Sequence, residues 1–494
     1  MKRTLHILLP AAAVLLAGSG CMHVGQDYTR PKATFPAAYI DPGPWKAATP
    51  SDEAIRGKWW EIYGDATLNQ LEEQARAASP RLQAAAARVE QARAILGFNQ
   101  ANYFPTVEVG ASAKRMGVSG NRVDQPSKLP GNTEYVSSGF QLPLYASYEI
   151  DFWGKYSRLE ESARARLQAS IATYYSVHLT LQSDLAQTYF QLRAADEEVN
   201  LLATSIELRE RARDLVGARK RGGLASELDL ARVETELAAT QAEAQAAIRR
   251  RNELRNALAL LTGAPPGPFE VQTAPYIAQP PVVPVGMPAD LLERRPDIAE
   301  AERQLAARNA DIGLAQAAYF PSIRLTGALG FESNELSSLF DAKSQIWSLG
   351  ASLAQPLFDG GRIRANIDRA RAAHAEYLAE YRERLLVAFK EVETALAALR
   401  ILDLQHENQA RAVTSAERAE QLATARYKTG LVNVLELVDA QRVRLQVERG
   451  RLQIRQQQML ASVTLIRALG GGWAERRDAT GTAWIMPAKP TPGT

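Results

Sequence analysis

Few residues in this chain of 494 have the type and spacing for bond-making chemistry. Five histidines, at positions 6, 23, 178, 374 and 406, are too scattered to form a ligand set. No HExxH, Walker, GxSxG or CxxC pattern occurs, so neither a metal site nor an activated nucleophile is expected. The sequence predicts no enzyme and no cofactor. His178 and His406 fall at equivalent positions of two helical heptads and read as structural. What remains is one thiol, Cys21. With no second cysteine it cannot form an internal disulfide, so it is either spare or modified.

Its surroundings bear on that choice. Lys2-Arg3, an apolar stretch from Leu5 to Leu16 and Gly18-Ser19-Gly20 make a secretory signal over residues 1–20. Cys21 follows at once and resembles the processed residue of bacterial lipoproteins, which predicts a covalent lipid there. Gly18 departs from the leucine usual three residues before such a cysteine. Met22, which is not Asp, resembles the signal for outer-membrane delivery in enteric bacteria. Beyond this segment no apolar run approaches the ~20 residues of a membrane helix. Lys and Arg number 58 against 55 Asp and Glu, so no bulk charge favours nucleic acid.

The elements that organise the chain come in two copies. Asn102-Tyr103-Phe104-Pro105-Thr106 is answered by Ala318-Tyr319-Phe320-Pro321-Ser322. Gly97 and Gln100 are answered by Gly313 and Gln316, Phe152 and Gly154 by Phe358 and Gly360. Proline ends a helix in each copy, and the apolar period then changes from near 3.6 to 2. Val107, Val109 and Ala111 oppose Thr106, Glu108 and Ser112; Ile323, Leu325, Leu329 and Phe331 oppose Ser322, Arg324 and Thr326. From Phe140 to Phe152 alternate residues are apolar. A repeat of about two hundred residues is a duplicated domain rather than a solenoid.

This predicts a segment 21–64, a first repeat 65–263, a Pro-rich linker 264–288, a second repeat 289–473 and a tail 474–494. Strand hairpins are expected near 105–152, with a polar loop over 117–134, and near 322–358, with the second pair at Ile323 to Phe331 and Trp347 to Leu357. The strands alone fit either a soluble sandwich with one wet face or a membrane barrel. The export signal, and the lack of any other sheet to pack against, favour the barrel. Trp347, Phe331, Phe140 and Tyr148 then form either an aromatic girdle or ordinary barrel packing.

Helices set the remaining architecture. Residues 157–217 lack proline and carry a 3.5-residue apolar repeat through Ile171, Leu181, Leu185, Leu192 and Leu202. Tyr381, Leu385, Val392 and Leu399 continue it in the second copy. Glycines near 222 and 430 end both helices, and second helices run back over 227–261 and 434–469. Each copy thus holds a long helical hairpin, near 157–262 and 361–469, whose turn lies far from the strands. Four strands are too few for a closed barrel, so copies must combine; two chains supply eight strands and three supply twelve.

These residues resemble the outer membrane factor family, the TolC-like channels, and within it the lipoprotein branch serving resistance-nodulation-division pumps. The likeness rests on Cys21 with Gly25, Tyr28 and Pro31, on Trp59-Trp60, and on Leu291-Leu292 with Arg295-Pro296-Asp297-Ile298. It extends through Gln355-Pro356-Leu357-Phe358-Asp359-Gly360-Gly361-Arg362 and Ala468-Leu469-Gly470-Gly471-Gly472-Trp473. The resemblance implies a mixed α/β membrane protein: a homotrimer closing a 12-stranded transmembrane β-barrel, continued by a periplasmic α-barrel. It implies passive efflux from the periplasm, with a periplasmic adaptor and an inner-membrane transporter as partners. A channel for type I protein secretion is the alternative within the class; a coiled-coil surface scaffold without a pore is the alternative outside it.

The resemblance also places a periplasmic constriction at Leu435 and Asp439. Carboxylates gathered on an axis repel one another and take up protons or cations. Alone, Asp439 reads as a solvated helix charge and Leu435 as a seam residue. Gly222, Gly223 and Leu224, with Thr429, Gly430 and Leu431, match the family's adaptor-contact turns; by themselves they are helix ends that need glycine.

Overall fold

A computed structural model describes residues 23–31, 58–119, 135–271, 280–281, 283 and 295–471. Cys21, the signal segment, most of the linker and the C-terminal tail lie outside the described residues. The helices are α1 (Ala66–Ala78), α2 (Pro80–Gln100), α3 (Lys155–Arg221), α4 (Glu227–Thr262), α5 (Pro296–Ala317), α6 (Arg362–Lys428) and α7 (Val434–Ala468). The strands are β1 (Thr106–Val109), β2 (Ser112–Val118), β3 (Tyr135–Ile150), β4 (Ser322–Ser333) and β5 (Gln345–Ala354). The order helix, strands, long helix, returning helix occurs twice. Two compact units form, and each draws on both repeats: one gathers the described residues of 1–31, 90–167 and 302–379, the other those of 32–89, 168–301 and 380–494.

The first unit is built on one antiparallel sheet in the order β1-β3-β4-β5, with β2 also on β3. The expected first strand is thus split. Val109 pairs with Leu144 and Ser112 with Gln141, so the register continues across the gap without a slip. Pro143 stands opposite the gap and has no N–H to give; only the Gly110 N–H bonds there, to the Pro143 carbonyl at 2.9 Å. β5 ends at Ala354, short of the expected Leu357, because Pro356 cannot extend the ladder. Gly330 faces Pro143 on the other side, where an added Cβ would lie 2.4 Å from the Leu142 carbonyl oxygen. Glycine is what lets β3 and β4 approach.

Residues 23–31 are bound to the same unit. The buried guanidinium of Arg158 donates to the carbonyls of Val24 and Gly25 at 3.0 and 2.9 Å and to Asp27 at 2.9 Å. Gly25 adopts φ +92° against Gly313, where a Cβ on either residue would meet backbone within 2.8 Å. Tyr28 and Arg30 both donate to Glu302, at 3.2 and 2.9 Å. This clamp begins three residues after Cys21.

The second unit has an aromatic centre. Trp59 is fully buried, edge-on to Trp60 at 6.0 Å, and Tyr63 lies 4.9 Å from Phe190. The Trp59 indole donates to Gln182 Oε1 at 3.1 Å, and the Gln182 amide donates to His178 Nε2 at 3.1 Å. Burial holds the His178 imidazole down to about 4, so it is neutral and structural, as its heptad position implies. Ile171, Leu181, Leu185, Leu192 and Leu202 are buried along α3, and Tyr381, Leu385, Val392 and Leu399 along α6. Both α3 and α6 have 67 residues, roughly 100 Å at the α-helical rise. Among the described residues no helix is long and apolar enough to cross a membrane.

Candidate functional site: the sheet face and the hairpin tips

The outer rows of the sheet are apolar from edge to edge. Val109, Leu144, Leu329 and Trp347 align in one row, and Val107, Ala146, Gly327 and Leu349 in the next. Ile150, Ile323 and Leu353 form another. Trp347 is 73% exposed, Leu349 84% and Leu353 68%, because nothing among the described residues covers them. The opposite face carries Thr106, Ser147 and Thr326, then Glu149 with Arg324 at 3.6 Å. β1 and β2 at one edge and β5 at the other have no further strand partner among the described residues. The four aromatic residues read as a girdle fall on four different rows of the sheet.

At the hairpin tips, two turns of identical construction end α3 and α6. Leu224 N–H reaches the Arg219 carbonyl at 2.8 Å and Gly223 N–H the Lys220 carbonyl at 3.0 Å. Leu431 to Arg426 at 2.9 Å and Gly430 to Tyr427 at 3.0 Å repeat the pattern. These are Schellman motifs, with Gly223 and Gly430 at φ +76° and +81°. Ser226 then caps α4 in a reciprocal box with Asp229, whose carboxyl is held low by the Ser226 N–H and hydroxyl. Asn433 caps α7 by accepting from the Glu436 N–H at 3.1 Å. Leu224 and Leu431 project outward, 79% and 71% exposed.

Beneath the turns Ala212, Val216, Val233, Tyr427, Val434 and Leu437 form a buried cluster that joins the two tips. Beside it lies a cleft of about 330 Å³ between the first turns of α4 and α7. From α7 it is lined by Leu435, Val438, Asp439 and Arg442, and from α4 by Leu228, Ala231, Arg232, Thr235 and Glu236. Leu435 and Asp439 therefore share one open face, and neither is a buried seam residue. Asp439 is not an isolated carboxylate: Arg442, one turn on, donates to it at 2.5 Å. Glu236 is likewise paired, with Arg209 at 2.6 Å. Sequence reasoning picked only the α7 side of this cleft. The offset between the two turns was the signal that could have found Leu228 and Arg232. Among the described residues no three His, Cys, Asp or Glu side chains gather as a metal site.

A family model described as outer membrane efflux protein matches residues 71–264 and 287–471. The pyoverdine export outer membrane protein OpmQ of Pseudomonas putida is 35% identical over 443 residues, 89% of this chain and 92% of that protein. A probable outer membrane lipoprotein of Salmonella typhimurium, SilC, is 30% identical over 459 residues, 92% of this chain and 97% of that one. The solved outer-membrane channel OprN superposes with a TM-score of 0.84 at 32% identity, covering 91% of this chain and 99% of that structure. A duplicated chain of strand hairpins and long helical hairpins, on this pattern, has the architecture of an outer-membrane channel. The chain belongs to the outer membrane efflux protein family, and its place is the outer membrane.

Proposed function

We propose that the protein is the exit duct of a tripartite efflux pump, carrying small molecules passively from periplasm to exterior while an inner-membrane transporter supplies the energy. The observation that carries this reading is the sheet: four strand positions, an apolar outer face and two unpaired edges. In lipid every backbone donor and acceptor needs a partner, so the edges have to be closed by further copies. Three copies give twelve strands around a passage, whereas eight strands are roughly filled by their own side chains. The hairpin tips are the periplasmic mouth, narrowed at Leu435 and Asp439. The turns at 222–224 and 429–431, with their outward leucines, are the contact for a periplasmic adaptor. Cys21 bears the lipid, and the Arg158 clamp on residues 24–27 ties that anchor to the sheet-bearing unit. A scaffold without a pore leaves the apolar sheet face unexplained.

Planar-bilayer recording of the purified oligomer tests the proposal. Discrete ion currents from a species that cross-links as a trimer are expected. A monodisperse monomer, or a trimer silent under every opening condition, contradicts it.

A further inference from the structure

Residues 334–344 join β4 to β5 through two single turns of 3-10 helix, Leu336–Ser338 and Ala342–Ser344. Its own serines tie the connection together. The hydroxyls of Ser333 and Ser338 bond at 2.7 Å, and the Ser344 hydroxyl donates to the Ser338 carbonyl at 2.7 Å. The Glu335 N–H donates to the Ser333 hydroxyl at 3.2 Å. Leu339 is buried within this frame, yet Leu336 and Phe340 are 64% and 68% exposed. Two large apolar side chains held outward on a braced connection mark a contact surface.

Phe340 fixes the side of the sheet to which that surface belongs. Its ring lies 5.5 Å from the ring of Phe331, edge to face. Phe331 stands opposite Leu142, two residues beyond the Leu329–Leu144 pair and on the same face. This is the apolar face of Trp347 and Leu349. The polar face, where Gln141 donates to Glu332 at 3.0 Å, is the other one. The height along the strands is fixed as well. One row beyond Phe331, Phe140 stands against Ala113 and Ser333, and the next row on this face is Arg115 with Ser138. Apolar pairs thus give way to polar ones within two rows of the Phe331–Phe340 contact.

We infer that the β4–β5 connection is a membrane-interface anchor, with Leu336 and Phe340 entering the outer leaflet where acyl chains meet headgroups. The inference rests on the reading of the apolar sheet face as the lipid-facing wall of a barrel. Aromatic side chains favour that boundary, where one surface is apolar and the next is wet. A second copy of the chain is a poorer occupant. β4 already has both its neighbours, β3 and β5, so another copy joins at least one strand away from Phe331. Residues 120–134 have only Val123 and Leu129 as large aliphatic side chains, among Asn, Asp, Gln, Lys and Glu, and offer little to bury a phenyl ring.

Spin labels on introduced cysteines of the full-length trimer in lipid vesicles test this. Cys21 is the only native cysteine, so unsubstituted protein gives the background. Leu349→Cys on the apolar face and Ser348→Cys on the polar face set the scale: the first should collide mainly with dissolved oxygen, the second with a water-soluble nickel complex. Leu336→Cys and Phe340→Cys are expected to follow Leu349→Cys, with oxygen collisions several-fold above those with nickel. Labels at 336 and 340 that meet nickel freely put the connection in water and overturn the inference. Labels that neither reagent reaches put it under protein and overturn it too. In both cases an oxygen-exposed Leu349→Cys leaves the barrel reading standing. If Leu349→Cys meets nickel as Ser348→Cys does, the sheet is not in lipid, and the barrel reading falls together with this inference.

Discussion

The guanidinium of Arg219 lies 4.6 Å from the centre of the Tyr427 ring and donates to the Lys428 carbonyl at 3.1 Å. One side chain from the first repeat thereby grips the last turn of the second, above the buried cluster of Val216, Val233 and Val434. A cation over an aromatic face contributes about 1 kcal/mol when partly desolvated. Arg219→Ala is therefore expected to raise amide exchange in both turns without altering the trimer. Exchange that changes in the first turn alone would mean that the tips are held independently.

Asp439→Ala strips the constriction of its carboxylate and releases Arg442. Larger unitary conductance, or greater sensitivity of cells to bulky antibiotics, is the expected result. If conductance and permeability stay at the wild-type level, the narrowest point lies elsewhere on the tips.

Two glycines separate steric from conformational cost. Gly430 has φ +81° and open space where a Cβ would stand, so Gly430→Ala is expected to cost about 1 kcal/mol and to spare assembly. Gly330 is tightly enclosed by Leu142 and Pro143. Gly330→Ala is expected to push β4 from β3 and to lower the heat resistance of the trimer on gels far more than Gly430→Ala does. Equal effects would show that the close approach of the two strands is not what glycine provides there.

Stability is expected to fall on both sides of neutrality, for separate reasons. Glu72 is buried beside Leu71 and Ala75 with neither carboxylate oxygen bonded among the described residues, and burial raises its carboxyl well above the usual range. The folded state holds a proton that the unfolded chain releases. Its contribution is complete below the unfolded value near 4.5 and is lost as pH climbs toward the raised one. His178 works in the opposite sense: buried neutral, it penalises the folded state as pH drops from 6.5 toward about 4. Melting of the detergent-solubilised protein against pH checks both. Glu72→Gln should raise the melting temperature at pH 8 and change little at pH 4; the opposite ordering would rule out the buried acid as the cause.

Much of this architecture is legible in the residues. Phe104-Pro105 and Phe320-Pro321 mark where helix gives way to strand, and the heptads through Leu185 and Leu385 mark the coiled-coil seams. Such periodic patterns report local burial directly. What they omit is set by partners remote in sequence. The break between β1 and β2 follows from Pro143, which stands across the sheet and not in the broken strand. The burial of Glu72 is hidden because its neighbours in α1 suit either face of a helix. Arg232 reads as an ordinary surface charge until its counterpart two hundred residues later is placed across the same cleft. Cys21 and the sorting signal are legible only as sequence, since they lie outside the described residues.

The bare rims of the sheet bear on how the molecule comes into being. A newly exported chain, still single, holds two lines of unanswered amides that lipid does not accept and a greasy panel that water does not. Curling of the sheet and recruitment of sister chains are then one event, which makes maturation steeply dependent on how many siblings reach the envelope together.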